Sequence, residues 1–468
     1  MSSLGRPRFS VAAVILAMAA AVGSAEAQIP GPTETPASDP TQPNILIIVT
    51  DDQRQGISVM PVVRKYFAEQ GRSYNNAFAT TPVCCPSRAS IMTGQYAHNH
   101  GVQSNIPGVT LNEFVQRDTI QKRLHSHGYT TGYFGKFLNG WALNKDPQHF
   151  DTYALARLGD RTSDTRYYNT PFVVKDEGES SYHDEIAEGY VTDYLGDKGV
   201  DFIESNRDAP WLMILAPTAA HAPFTSESVY RDAWVGKWRG NKAILEKDKS
   251  DKPPYVRRSD VGLSKGQDIR ARQLRTLMSV DDIMERTFSA LRRIDESTDT
   301  LALYVSDNGY MWGEHGLVAK DVPYTPSVKV KLFARWPASI PANSVDNRLV
   351  GNIDIAPTVL AAAGLEPFGV DGRNLLDPLW ARDRILLEHW CNVNSCNRWA
   401  STRTREYQYV EYYDADGLTT FKEYYDQRRD PLQLRNLLHD GDPNNNPDRQ
   451  PLAEQLTVDR TCAGPSCP

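Results

Sequence analysis

The sequence predicts an α/β fold: a large, mostly parallel sheet sandwiched by helices, with a smaller antiparallel sheet in a C-terminal subdomain. Three observations carry this. Apolar runs without alternation, such as Ile45-Leu46-Ile47-Ile48-Val49, suit strands buried on both faces. Amphipathic stretches with three- and four-residue spacing separate these runs, as helical crossovers require. After Arg384 the pattern changes to short aromatic segments flanking the turn Asp414-Ala415-Asp416-Gly417.

Taken in order, residues 1–27 read as a cleavable secretory signal, with Arg6 and Arg8 before the apolar run Val11 to Val22 and small residues ending at Ala27. That run is too short for a membrane span, and no later one approaches the roughly 20 residues a span needs. The expectation is a secreted chain, extracellular or periplasmic, without a membrane span. Residues 28–43 are rich in Pro, Thr, Ser and Asp and read as a flexible leader. The main folded body is expected over 44–383, the C-terminal subdomain over 384–440, and a loosely held tail over 441–468.

The run at Ile45 ends in Thr50-Asp51-Asp52. Trp211 to Pro217 leads to Thr218-Ala219-Ala220-His221, and Leu301 to Val305 leads to Ser306-Asp307-Asn308-Gly309. Ligands of open α/β sheets bind outside the carboxyl ends of the strands, so these three ends point to one site. Between them, Arg272 to Ile294 and Thr192 to Ile203 carry helical periodicity. Arg231 to Ser264 has no sustained period and reads as a long surface insertion near the site. A further helix is expected from about Val350, with Pro357 near its first turn and Gly364 marking its end.

The stretch Cys84-Cys85-Pro86-Ser87-Arg88-Ala89-Ser90-Ile91-Met92-Thr93-Gly94 reads as a loop entering a helix. Cys84 would face the helix N-terminus, where free N–H groups and the dipole favour an anion, and Arg88 adds a donor fork suited to oxyanions. The plain alternative is a buried cysteine at a helix start. Of the six cysteines, Cys391/Cys396 and Cys462/Cys467 share one spacing and suit local disulfide loops. Cys85 reads as a small core side chain. A net charge of −7 argues against a nucleic-acid binder.

The cysteine stretch resembles the signature of type I sulfatases. So do Thr50-Asp51-Asp52, Gly135-Lys136, the His221 loop, Ser306-Asp307-Asn308-Gly309, Lys320 and Asp354-Ile355-Ala356-Pro357-Thr358. Tyr96-Ala97-His98-Asn99-His100, Gly135-Lys136-Phe137-Leu138-Asn139 and Ser279-Val280-Asp281-Asp282 look most like N-acetylglucosamine-6-sulfatases and extracellular heparan sulfatases. The resemblance implies an alkaline phosphatase-like fold and oxidation of Cys84 to formylglycine, before folding, by a formylglycine-generating enzyme. It implies one Ca²⁺ held by Asp51, Asp52, Asp307, Asn308 and the modified Cys84. Arg88 and Lys136 would hold the aldehyde hydrate, while His221 and Lys320 would grip sulfate oxygens.

Many arylsulfatases carry a histidine where Leu138 stands here, so Asn139 would position the hydrate while the base that releases sulfate is left open among His98, His100 and His315. The implied function is hydrolysis of sulfate monoesters, on 6-O-sulfated glucosamine of glycosaminoglycan-type sugars, with Trp141 and Trp312 near the mouth as ring platforms. A general arylsulfatase and a phosphomonoester or phosphonate hydrolase of the same superfold are the alternatives.

Overall fold

The structure, a computed structural model, describes residues 42–54, 56–105, 118–159, 163–391 and 397–468. The signal segment, nearly all of the leader and Cys396, hence the expected Cys391/Cys396 pair, lie outside them.

Ten strands form the large sheet. In chain order they are β1 (Asn44–Thr50), β2 (Arg72–Phe78), β3 (Thr130–Gly135), β4 (Thr152–Ala156) and β5 (Tyr168–Lys175). Next come β6 (His183–Tyr190), β7 (Trp211–Ala216) and β8 (Thr300–Ser306). After a short hairpin of β9 (Met311–Trp312) and β10 (Val318–Ala319), β11 (Leu332–Arg335) and β12 (Ser344–Gly351) complete it. Their spatial order is β12-β2-β11-β8-β1-β7-β3-β4-β5-β6. The run β8-β1-β7-β3-β4 is parallel throughout, so its carboxyl ends lie side by side. Strand β1 pairs Ile45 with Leu212 and with Leu301, which brings the residues after Thr50, Ala216 and Ser306 to one edge.

Burial explains the unbroken apolar runs. Along β1, Ile45, Ile47 and Val49 enter one core cluster while Leu46 and Ile48 enter the other. The helices α1 (Cys84–Thr93), α2 (Val191–Ser205), α3 (Leu263–Arg293) and α4 (Ile355–Ala362) cover the two faces. Ala89, Ile91, Val359 and Leu360 of α1 and α4 share the cluster of Ile45. Leu195, Phe202, Leu277 and Val280 of α2 and α3 share that of Leu46.

Two element boundaries differ from expectation. Helix α3 begins at Leu263, not Arg272, because its first turns are polar and bury little beyond Gly266 and Ile269. Strand β12 runs on through Gly351 and a single 3₁₀ turn precedes α4, so Val350 is strand. Pro357 stands in the first turn of α4, and Gly364, at φ +71°, follows its end.

The second sheet is an antiparallel meander of β13 (Ile385–His389), β14 (Arg398–Arg403), β15 (Tyr407–Tyr413) and β16 (Thr419–Asp426). Ile385, Leu387, Trp399 and Val410 pack with Phe78 and Leu349 of the large sheet. The tail is not the loose segment expected. Helix α5 (Arg449–Asp459) buries Leu456, a disulfide joins Cys462 to Cys467, and Arg384 pairs with Asp459 at 3.0 Å. Too few apolar residues mark this helix for periodicity to reveal it. Its anchors are polar groups supplied by distant parts of the chain. Among the described residues no helix is long and apolar enough to cross a membrane.

Candidate active site

The ends of β1, β7 and β8 and the first turn of α1 meet in one buried cluster. Asp51 lies directly after β1; its N–H donates to the Ala219 carbonyl at 2.9 Å and its carbonyl accepts from Ala220 at 2.6 Å. Asp52 takes a left-handed backbone at φ 60°, and its N–H donates to Asp307 Oδ1 at 3.1 Å. Asn308 Nδ2 donates to Asp52 Oδ1 at 2.7 Å. Oxygens of Asp51, Asp52 and Asp307 lie within 4.8 Å of one another, and all three residues are buried.

Cys84 is the first residue of α1, after an extended Val83, and is fully buried. Its Sγ is 3.5 Å from Asp51 Oδ1 and 2.8 Å from Lys320 Nζ. One turn on, Arg88 donates from Nε to Asp307 Oδ2 at 2.9 Å and from Nη1 to the Lys136 carbonyl at 2.5 Å. Its Nη2 is buried and has no partner among the described residues.

Lys136 pairs with Asp51 Oδ2, and Lys320 pairs with Asp52 Oδ1 while lying 3.2 Å from Asn308 Oδ1. Lys136 reaches Asp51 because β3 and β7 approach closely at their ends. At Gly135, with φ +119°, an added Cβ would stand 2.1 Å from the Ala216 carbonyl oxygen. His221 Nδ1 is 2.7 Å from the Ala222 carbonyl, so it carries the proton there, and Nε2 faces Asp52 Oδ2 at 3.8 Å. All the residues expected at the strand ends and on the cysteine helix thus converge.

The electrostatics reflect the crowding of buried charges. Burial opposes ionisation of Asp51, yet Lys136, His221, Lys320 and Arg88 hold its carboxyl well below the usual range. Asp307 is pushed up to about 6, by burial and then by Asp51. Burial lowers His221 to about 4 against the pull of Asp51 and Asp52. Burial likewise opposes the charge on Lys320, but Asp52 and Cys84 hold it well above the ordinary lysine value. Three buried carboxylates with an amide oxygen are a hard-oxygen donor set, which fits a Ca²⁺-type ion.

Other expected candidates are engaged elsewhere. His98 bonds Glu388 at 3.0 Å and the Cys462 carbonyl at 2.9 Å. His100 bonds Ser90 Oγ and the Val102 N–H, each at 3.1 Å, while His315 bonds Glu246 at 2.6 Å. Asn139 is fixed through its backbone, its N–H lying 3.0 Å from Cys85 Sγ, so Cys85 braces the loop after Lys136. Trp141 lines a cavity of about 440 Å³ together with Lys136 and Asn139. Trp312 is closed in: Nε1 donates to Gln273 at 2.6 Å, Arg54 lies 4.4 Å over the ring, and Trp238 meets it edge-on.

Gln273 escaped the sequence reading. Its amide donates to the Asp52 carbonyl at 3.2 Å and to the Ala220 carbonyl at 3.0 Å, tying two strand-end loops to α3. The available signal was a polar residue in helical phase with Leu277, Val280 and Met284 on a buried face.

A carboxylate cluster outside a parallel sheet, with a cysteine at a helix N-terminus, is the build of an α/β hydrolytic site. The chain belongs to the sulfatase family, whose description, Sulfatase, matches residues 43–365. A second, N-sulphoglucosamine sulphohydrolase, C-terminal, matches residues 313–461. The chain is 28% identical over 491 residues to the N-acetylglucosamine-6-sulfatase of Homo sapiens, covering 92% of this chain and 87% of that one. To the extracellular sulfatase SULF-1 homolog of Drosophila melanogaster it is 29% identical over 374 residues, 75% of this chain, and it spans 32% of that protein's length. A solved structure described as a complex with its substrate D-glucosamine-2-N,6-O-disulfate superposes with a TM-score of 0.73 at 23% identity, covering 89% of this chain and 97% of that one. The fold is thus the alkaline phosphatase-like one of the sulfatases.

Proposed function

We propose that the protein is a secreted hydrolase of sulfate monoesters, acting on the 6-O-sulfate of glucosamine units in glycosaminoglycan-type sugars. The observation that carries this reading is Cys84 at the first position of α1, between Lys320 and Asp51. As a thiol it is a poor nucleophile: burial, then Asp51, push it up to about 11, leaving little thiolate at neutral pH. That supports its oxidation to formylglycine, whose hydrate would supply an oxygen nucleophile. Asp51, Asp52, Asp307 and Asn308 would hold Ca²⁺, which when bound would polarise the ester and balance its charge.

The remaining roles belong to the chain's own side chains. Arg88 keeps one donor, Nη2, unused and buried, ready for an oxyanion. Lys320 stays charged and grips a sulfate oxygen. His221, with Nδ1 committed to a carbonyl, turns Nε2 toward the site, leaving the charged Lys320 to serve the departing alcohol as proton donor. The sugar ring rests in the cavity beside Trp141. The names of the human relative and of the structural neighbour's substrate support glucosamine sulfate.

The test joins mass mapping to kinetics. The peptide bearing Cys84 should show the thiol-to-aldehyde mass loss, and kcat/KM for N-acetylglucosamine 6-sulfate should exceed that for a nitrophenyl sulfate, with Trp141→Ala narrowing the ratio. An unmodified thiol in fully active protein would sink the mechanism. An aryl preference indifferent to Trp141 would leave a general arylsulfatase.

A further inference from the structure

A second cavity, of about 240 Å³, is lined by Arg54, Glu314, Thr325, Pro326, Lys329 and Pro431 among others. It stands on the other side of the carboxylate cluster from the Trp141 cavity. Thr325 to Lys329 precede β11, next to β8, whereas Lys136 follows β3 and Ala156 ends β4, both beyond β7. Arg54 links it to the site, following Asp52 by two residues and covering Trp312 at 4.4 Å.

The wall of this cavity has cations in excess. Glu314 is used up: Oε1 accepts from Arg54 at 2.6 Å and Asn241 at 3.1 Å, and Oε2 accepts from the Trp312 N–H at 2.8 Å. Among the described residues Lys329 has no carboxylate within ion-pair distance, and its ammonium donates to Asn76 Oδ1 at a long 3.5 Å. Behind it Arg403, 7% exposed, gives Nη1 to the lining Thr325 Oγ1 at 3.2 Å and to Gln408 at 2.7 Å. Arg403 Nε is buried without a partner among the described residues. Burial, then Arg403 and Lys331, lower Lys329 to about 8, as expected of a cation lacking a counter-charge. The cavity falls below the roughly 300 Å³ of a typical separate ligand site, but it suits one anionic group with the edge of a ring.

We propose that this cavity binds the sulfate or carboxylate of a sugar unit further along the glycan than the one hydrolysed, so that the preferred substrate is a polyanionic oligosaccharide. The proposal rests on the sulfated-sugar reading above. The experiment compares KM for a heparan-type sulfated tetrasaccharide and for N-acetylglucosamine 6-sulfate in wild type, Lys329→Gln and Lys329→Arg. Losing one charge-assisted contact should raise the tetrasaccharide KM about tenfold relative to the monosaccharide in Lys329→Gln, with Lys329→Arg restoring most of it. Calorimetric binding of the same tetrasaccharide to Cys84→Ala, with and without Lys329→Gln, should show the same loss without turnover. Equal changes for both sugars, or none, would overturn the proposal. So would a Lys329 effect on inorganic sulfate binding alone, which would assign the cavity to a free anion. Failure of the wild type to hydrolyse either ester would instead refute the activity, and the calorimetry would still judge the cavity.

Discussion

Two buried carboxylate clusters in this chain are completed to different degrees. Around Glu423 both oxygens are engaged by hydroxyls: Tyr324 and Tyr425 donate to one at 2.9 and 2.7 Å, and Tyr412 to the other at 2.8 Å. Around Asp51, Asp52 and Asp307, capacity is left over: Arg88 Nη2 is buried and has no partner among the described residues. Both clusters are expensive to bury, but only the first is satisfied from within the chain. The second, on the reading proposed above, would be completed by charges that arrive from outside.

Substituting one acid in each cluster tests that contrast. Asp307→Asn should cost the largest amount, about a thousandfold or more in kcat, with loss of bound metal and little loss of fold stability. Metal analysis, rates and thermal melting on one preparation would check it; full metal content with full rate would erase the distinction. Glu423→Ala should do the reverse. It leaves three tyrosine hydroxyls without their acceptor and should cost about 3 kcal/mol in urea unfolding, while the protein still folded keeps its turnover number.

A third carboxylate, Glu388, is completed by a titratable partner, and its effect should be the smallest. Burial would lower His98, but the Glu388 bond and charge and the Cys462 carbonyl outweigh it and raise His98 above 6.5. Because the folded value is the higher one, the stabilisation is whole below pH 6.5 and fades as pH rises through the folded value. Partial solvent access keeps it below about 1 kcal/mol. Proteolytic nicking of the tail should therefore quicken with rising pH in wild type, and this slope should flatten in His98→Gln.

Where one physical rule dominates locally, the sequence was enough. The apolar runs of β1, β7 and β8 are buried on both faces, so they show no alternation, and the residues just past each run lie at the sheet's edge by geometry alone. The helix start at Cys84 is written in adjacent residues. Helix α5 and its anchors were missed because they depend on partners far away: Arg384 on Asp459, and His98 on the Cys462 carbonyl. Gln273 hides for the same reason, since its bonds cross to Asp52 and Ala220. Trp312 was expected at the mouth as a platform, and the structure covers its ring with Arg54.

The topology also sets a timetable for synthesis. Asp52 and Asn308 meet across 256 residues, and β1 finds its neighbours only in β7 and β8. Cys84, fully buried in the finished fold, is made early, and its site cannot be completed until Asp307 has been made. At common elongation rates that interval lasts roughly ten seconds or more. An enzyme acting on Cys84 during synthesis would have that interval to reach it, and a shorter route between β1 and β8 would take the interval away.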